Sequence, residues 1–441
     1  MFEGALMMGV WTTAAAIAVL AYTGLALRRE PTTRFTQIVL GTYLLFFMAL
    51  APLLHFLTGY VLVYPDLRAD IPSLFLPLAA MNALGMTFAF LGHAITPKIA
   101  LPHLQPIPGR LFKAATIMIG ISVLAWLAAN LMGAIRYDES MHYRVSNAPI
   151  IVYMLFESMP FWLAVAYALA SRNRKVGIGE VIAVSTLLVA VALVFTGLRG
   201  SRSSVGYQVF AAFCIIHAMV RPFRLRELVG ATAIGAVGFI AYGLFKFGGW
   251  DGLLLRDGKV AAYAMRMSNP LRILLFDFGR SDVQALILNN TIKGYFTPPP
   301  LPETYIHAFT QILPQSMRPD WIRGKSELGP IAMYNLPWSQ QPEALGTSRM
   351  YGLGGEALLN FGVWGVAPAF FVFGVLHRLC TSIQSQLRGT AKVLLPLVII
   401  VPYLLQFFDL AQIVFFLIKN WMLPLLVIGV AMVGFRTRRT A

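Results

Sequence analysis

The sequence predicts an all-α polytopic membrane protein: about 11 transmembrane helices, N-out/C-in, with one large partly helical outer loop. Three observations carry that prediction. Of 441 residues, 58% are hydrophobic and only 12% charged, with a mean hydropathy of +0.69, whereas a soluble domain carries about 25% charged residues. Apolar runs of membrane length recur along the chain, and a bilayer core needs about 20 apolar residues per helix. The connections between those runs alternate between basic and sparsely charged, as the positive-inside rule requires of short loops. Alternating strands of barrel type are absent, so the spans read as helices.

The first apolar run, 4–27, has Glu3 before it and Arg28-Arg29 after it. A signal peptide carries its positive charges in front, so the reversed charges predict an uncleaved helix with its N-terminus outside. Further spans are predicted over 37–60, 73–95, 114–135, 149–170, 181–197, 205–220 and 228–247, and after the long loop over 358–376, 393–408 and 421–434. Residues 409–420 read as a loop, a re-entrant segment or an extension of either flanking helix. This orientation gathers Arg28, Arg29 and Arg34, then Lys98, Arg110 and Lys113, then Arg172, Arg174 and Lys175 on the inner side. Arg221, Arg224 and Arg226, then Arg378, Arg388 and Lys392, and the tail Arg436, Arg438 and Arg439 complete the series. In chain order the division is 1–248 for the N-terminal helices, 249–356 for the outer loop and 357–441 for the C-terminal helices. Cys214 and Cys380 are too far apart in this arrangement to pair, and no zinc-type spacing exists.

The formal charge is +16. Inner-side bias accounts for much of it, but many arginines fall in the outer loop, where orientation does not call for them. Nucleic acid is a poor partner for such a chain, since no soluble fold surrounds a basic patch. The loop, 250–349, holds Arg256, Arg266, Arg272, Arg280, Arg318, Arg323 and Arg349, with Glu303, His307 and several aromatics among them. Disordered segments are poor in aromatics, so this one is expected to fold over the membrane surface. Within it, 271–290 has the spacing of an amphipathic helix lying in the interface, and Pro298-Pro299-Pro300 predicts a stiff extended spacer.

Two stretches suit chemistry. Thr196-Gly-Leu-Arg-Gly-Ser-Arg-Ser-Ser204 closes the sixth span and opens the next helix. Its glycines allow close backbone approach, Arg199 and Arg202 offer forked donors for phosphate oxygens, and the helix N-terminus adds positive potential. A tight polar turn with snorkelling arginines is the other reading. The second stretch, Gly346-Thr-Ser-Arg-Met-Tyr-Gly-Leu-Gly-Gly-Glu-Ala-Leu-Leu-Asn-Phe-Gly362, sets Arg349 before a run of glycines and Glu356 at the start of the ninth span. Glu356 is either a carboxylate favoured by a helix N-terminus or a general base within reach of an acceptor hydroxyl.

These two motifs, the late outer loop, and the stretch Gln311-Ile-Leu-Pro-Gln-Ser-Met-Arg-Pro-Asp-Trp321 together resemble the Wzy-type O-antigen and exopolysaccharide repeat-unit polymerases. The motifs cover about a tenth of the chain, and the topology matches more broadly. The resemblance implies a metal-independent inverting glycosyltransferase of the bacterial inner membrane, acting at its periplasmic face on polyprenyl-diphosphate-linked oligosaccharides. It carries over onto Arg199, Arg202, Arg349 and Glu356. Chain-length regulators or export proteins are the implied partners besides the bilayer, and no cofactor is implied.

The residues themselves fit that chemistry. A lipid diphosphate leaving group develops charge that arginine can stabilise, and no Asp-x-Asp pair is present to hold a metal. Arg199, Arg202 and Arg349 are expected to grip the diphosphate while Glu356 or His307 accepts the acceptor's proton. Arg272, Arg280, Arg318 and Arg323 are expected as further substrate-binding cations. Glu157, inside the fifth span, must be paired or face a cavity, since a bare charge there costs about 2.5–3.5 kcal/mol or more. His55, His93 and His217 read as helix–helix hydrogen-bonding groups. Asp409 and Lys419 flank the last outer turn, where they can pair with each other or contribute to the cavity. Asp66 and Asp70 are weak candidates for an acidic outer-loop site. The rival functions are a ligase that moves glycan to another acceptor, and a transporter or flippase of lipid-linked glycans. A flippase should show paired broken helices in its two halves, and none is found.

Overall fold

A computed structural model describes residues 2–59, 71–100, 106–132, 150–196, 202–224, 281–313, 315–334 and 350–432, with positions 227, 230, 254, 275 and 279 besides. All regular structure among them is helical. In chain order the helices are α1 (Phe2–Arg29), α2 (Arg34–Thr58), α3 (Ile71–Ile95), α4 (Pro108–Leu131), α5 (Ile151–Ala170), α6 (Ile178–Phe195) and α7 (Arg202–Ile215, extended by a π turn to Val220). Then come α8 (Ser281–Ile292), α9 (Glu303–Thr310), α10 (Lys325–Tyr334), α11 (Gly352–Phe361), α12 (Val366–Gln386), α13 (Gly389–Phe407) and α14 (Leu410–Met432). Nine helical stretches among the described residues are long and apolar enough to cross a membrane, and Ser204–Val220 is a shorter apolar helix. The chain is therefore an all-α, multi-pass membrane protein. The span expected over 228–247 lies outside the described residues.

Two expected boundaries are corrected. The last span starts at Leu410 rather than at 421, so of the readings open for 409–420 the extension of the last helix is the one formed, over 410–420. The stretch Ala411-Gln-Ile-Val-Phe-Phe-Leu-Ile418 is apolar enough to belong to it once Lys419 is neutralised, which a buried partner achieves (below). The ninth span, expected as one helix over 358–376, is broken. Gly362 sits at φ +63, a left-handed conformation that glycine adopts at little cost, and it separates α11 from α12.

The chain forms two compact units. The first holds residues 1–100, 269–386 and 398–415. In it α3 packs along both α1 and α12. A side chain on Gly92 would run into the Phe371 carbonyl, and one on Gly374 into the Ala89 carbonyl. Small residues at a crossing let two membrane helices approach to backbone contact. At the ends of these helices, the Arg29 guanidinium donates to the His93, Ala94 and Thr96 carbonyls, satisfying the C-terminus of α3. Buried Glu30 accepts from Arg378 at 3.1 Å and pairs with Lys98 at 3.1 Å.

Helix α8 corrects a further expectation. Its residues fall in the segment read as an interfacial amphipathic helix, yet nine of its twelve residues are buried. It is wedged among α2, α3, α10 and α11, with Val283, Leu286 and Ile287 in one core with Phe75, Leu78, Leu358, Leu359 and Phe370. Its buried polar side chains hold the neighbouring backbone. Gln284 donates to the Tyr351 carbonyl at 2.9 Å, and Asn290 donates to the Ala332 and Met333 carbonyls at 2.9 and 2.8 Å. The glycines of Gly352-Leu-Gly-Gly355 face this packing: side chains at Gly354 and Gly355 would touch Met81, Phe370, Tyr351 and Gln284. The glycine run thus serves close helix contact.

The second unit holds residues 101–268, 387–397 and 416–441. Here α5 packs against α4 and α7, with Phe161 of α5 against Trp162 and against Trp421 of α14, and Tyr207 of α7 on the same Trp421. Glu157 is paired, as its position in a span demands, but its partner is Lys419 at 2.7 Å. Lys419 therefore does not pair with Asp409, whose partner is Lys325. Lys419 also donates to Ser204 at 2.8 Å, and Gln208 donates to Asn420 at 3.2 Å. Among the histidines expected to bridge helices, His55 stacks on Phe75 and His217 accepts from the Phe223 amide within its own segment. Cys214 and Cys380 are unpaired with each other, as expected.

Candidate functional site

The described candidates converge in the first unit, where α9, α10, α11 and the start of α14 meet. Glu356 is the fifth residue of α11 and is buried. One of its carboxyl oxygens accepts from the Leu410 amide at 2.6 Å, the other from Thr304 Oγ1 at 3.1 Å. It thus satisfies a helix N-terminus, but that of α14 rather than its own helix. One helical turn on, Asn360 lies on the same face. It donates to Thr304 Oγ1 at 2.6 Å and accepts from the Thr304 amide at 3.0 Å, which fixes the start of α9 against α11.

Asp409 stands at the other side of Leu410. It caps α14 by accepting from the Gln412 amide at 3.2 Å, and its second oxygen holds Lys325 Nζ at 2.7 Å. Asp409 is fully buried and Lys325 nearly so. Two carboxyl groups and one ammonium therefore share a dry site within electrostatic range of each other, where charges act more strongly than in water.

His307 lies on α9 and is half-buried, with Lys325, Asp409, Glu327 and Arg318 as its charged neighbours. Burial, then the Arg318 cation, holds its imidazole below the usual 6.5. Its Nδ1 is buried without a hydrogen-bond partner among the described residues. The same is true of both side-chain atoms of Gln406 and of Gln412 Oε1, which lie three residues to either side of Asp409. Tyr305, on the same helix, has its phenol pushed above its ordinary range by burial and by Glu356.

The other expected cations have different work. Arg323 is forked onto Glu303 at 2.8 and 3.1 Å, and this bond raises its pKa further. Arg318 is exposed and donates to the Leu313 and Gln311 carbonyls at 3.0 and 2.7 Å, closing the turn after α9. Both arginines are thus held by protein groups, Arg323 by a carboxylate and Arg318 by two carbonyls. Arg202 is the first residue of α7, and its side chain, with Arg199, Arg272, Arg280, Arg349 and the acidic pair Asp66 and Asp70, lies outside the described residues.

Sequence reading missed Thr304, Lys325, Asn360 and Gln406. Only Asn360 left a signal, its i+4 spacing from Glu356. Among the described residues, no group of three or more His, Cys, Asp or Glu side chains forms a metal-binding cluster. No family model, curated protein or solved structure matches this chain.

Proposed function

We propose that this protein is a membrane glycosyltransferase that polymerises polyprenyl-diphosphate-linked oligosaccharide repeats at the periplasmic face of a bacterial inner membrane. The observation that carries the reading is the buried polar site of Glu356, Asp409, Lys325 and Thr304, bordered by His307 and Gln406. It combines a proton acceptor with amide groups whose hydrogen-bonding capacity is unused. A sugar hydroxyl is both donor and acceptor, and a primary amide answers both needs.

In this reading the acceptor's hydroxyl oxygen attacks the anomeric carbon of the donor. The bond from that carbon to the diphosphate oxygen breaks, and polyprenyl diphosphate leaves with the electron pair. The hydroxyl proton passes to the His307 imidazole, which its surroundings keep neutral and able to accept. Glu356 has both oxygens engaged, so its role is positioning: it ties α11 to the start of α14 and to Thr304. Lys325 supplies positive charge where negative charge develops. Arg349 keeps the diphosphate-binding role that the resemblance implies. Arg199 and Arg202 keep the role that the resemblance implies for them.

The Glu157–Lys419 pair favours a second reading. Ionisable groups buried inside membrane spans mark transport pathways as well as structural locks, so a transporter of lipid-linked glycans is the alternative. Reconstituted protein supplied with lipid-linked repeats separates the two. A ladder of polymer formed without any partner protein supports the polymerase, a single transfer to a different acceptor supports a ligase, and movement across vesicles without bond formation supports transport.

A further inference from the structure

Helix α9 is amphipathic the wrong way round for a helix in water. Its buried side carries Glu303, Thr304 and Ala308, with Glu303 held by Arg323 and Thr304 by Asn360 and Glu356. The outward side and the turn after it are apolar: Phe309 is 59% exposed, Ile312 55%, Met317 67% and Trp321 56%, and Leu313 is exposed too. Clusters of large exposed apolar side chains mark an interaction surface rather than a solvated one.

Two features indicate what covers it. Tyr305, one turn before Phe309, packs on Phe361 with ring centroids 5.8 Å apart. Phe361 opens the turn into the spanning helix α12, and Trp364 in that turn is 91% exposed. The apolar strip therefore runs on from a helix whose surroundings are lipid, and tryptophan and tyrosine are the residues that gather at a membrane–water interface. The strip also ends in a fixed cation: the exposed Arg318 is pinned by the Leu313 and Gln311 carbonyls. A guanidinium beside apolar side chains suits the level of lipid phosphates.

We propose that residues 305–321 form an interfacial anchor, with Phe309, Ile312, Leu313, Met317 and Trp321 immersed in the headgroup layer of the bilayer. The anchor, and not the buried stretch 281–290, is a membrane-lying part of the segment between α7 and α11. It rests on the spanning architecture alone and not on glycosyl transfer. Its consequence is depth: α9 carries His307 and Thr304 on the same eight residues, so the polar site is held at the height where a lipid's phosphates lie.

The test is depth measurement on the full chain in lipid nanodiscs, in a Cys214→Ala/Cys380→Ala background. Spin labels placed by Phe309→Cys and, separately, by Ile312→Cys are relaxed by oxygen, which concentrates in lipid, or by a water-soluble nickel chelate. Strong oxygen and weak nickel relaxation is the expected result. Strong nickel relaxation overturns the anchor, and weak relaxation by both reagents overturns it in favour of a protein partner. Where either cysteine variant fails to assemble, Trp321→Phe serves instead. Brominated lipid should quench a smaller share of the emission after that substitution, and an unchanged quenchable share refutes the proposal. No turnover is needed, so a lipid-immersed label in a catalytically silent protein would sink the polymerase reading and leave this one standing.

Discussion

Glu356→Ala should loosen the start of α14 more than any other part of the first unit. The wild-type carboxyl accepts from the Leu410 amide at 2.6 Å and from Thr304 Oγ1 at 3.1 Å, in a buried setting. Alanine leaves both donors without that acceptor, and each orphaned buried donor costs about 1–3 kcal/mol. The pair of losses comes to roughly 2–6 kcal/mol, less whatever water entering the vacated space recovers. Glu356→Gln keeps one acceptor but turns an amide NH2 toward a donor, so it should fall between alanine and wild type. Two assays read this. Thermal unfolding of the purified chain should rank wild type above glutamine and glutamine above alanine. Hydrogen exchange at the Leu410 amide should quicken in the same order, while exchange within α5 of the second unit stays the same. Unchanged exchange at Leu410 in the alanine variant would show that this carboxyl does not hold the α14 terminus, and the positioning role would fall with it.

Three further expectations follow from the geometry. Lys419→Met or Glu157→Gln alone should cost about 3–5 kcal/mol, because each takes the opposite charge from a buried ionised group, whereas the double variant should recover much of the loss; additive losses in a denaturation cycle would contradict the pairing. Arg323→Ala breaks a pair whose arginine is 41% exposed, so its effect should stay within about 1 kcal/mol and polymer length should be unaltered, which a gel of the product would show. The folded-state pKa of His307 lies below its unfolded value near 6.5. The unfolded chain then binds more protons as pH falls below 6.5, so this residue's share of stability is present above that value and lost as pH drops through the folded pKa. The acid limb of turnover should likewise fall below pH 6.5 and disappear in His307→Gln together with the activity; a limb centred above 6.5 would speak against His307 as the base.

How much of this was legible in the sequence depended on how far each cause lay along the chain. The first six spans announce themselves, since twenty apolar residues between basic flanks leave few alternatives. The last span did not, because Lys419 looks like a boundary until Glu157, far away in the chain, is known to neutralise it. The break at Gly362 was hidden for a different reason: a left-handed glycine between two apolar helices changes no hydropathy. Helix α8 was misread because amphipathic spacing marks one apolar face, whereas nine of its twelve residues are buried and the amides of Gln284 and Asn290 are consumed by the carbonyls of Tyr351, Ala332 and Met333. Within the site, Glu356 and His307 stood out by chemistry alone. Lys325 and Thr304 did not, since only folding brings them beside Asp409 and Glu356. Nor could the sequence show what holds Arg318 and Arg323, since the Leu313 and Gln311 carbonyls and the Glu303 carboxylate reach them only in the folded chain.

The central claim is bond formation at the anomeric carbon with loss of polyprenyl diphosphate, assisted by His307. Its most direct measurement counts both products from one reaction: protein in nanodiscs, a defined lipid-linked repeat, and quantification of new glycosidic bonds and freed polyprenyl diphosphate together. The account predicts one diphosphate released per bond in the wild type, and loss of both in a His307→Gln protein that remains folded and abundant. Bond formation at the wild-type rate in that variant, or no diphosphate release from the wild type, would contradict it.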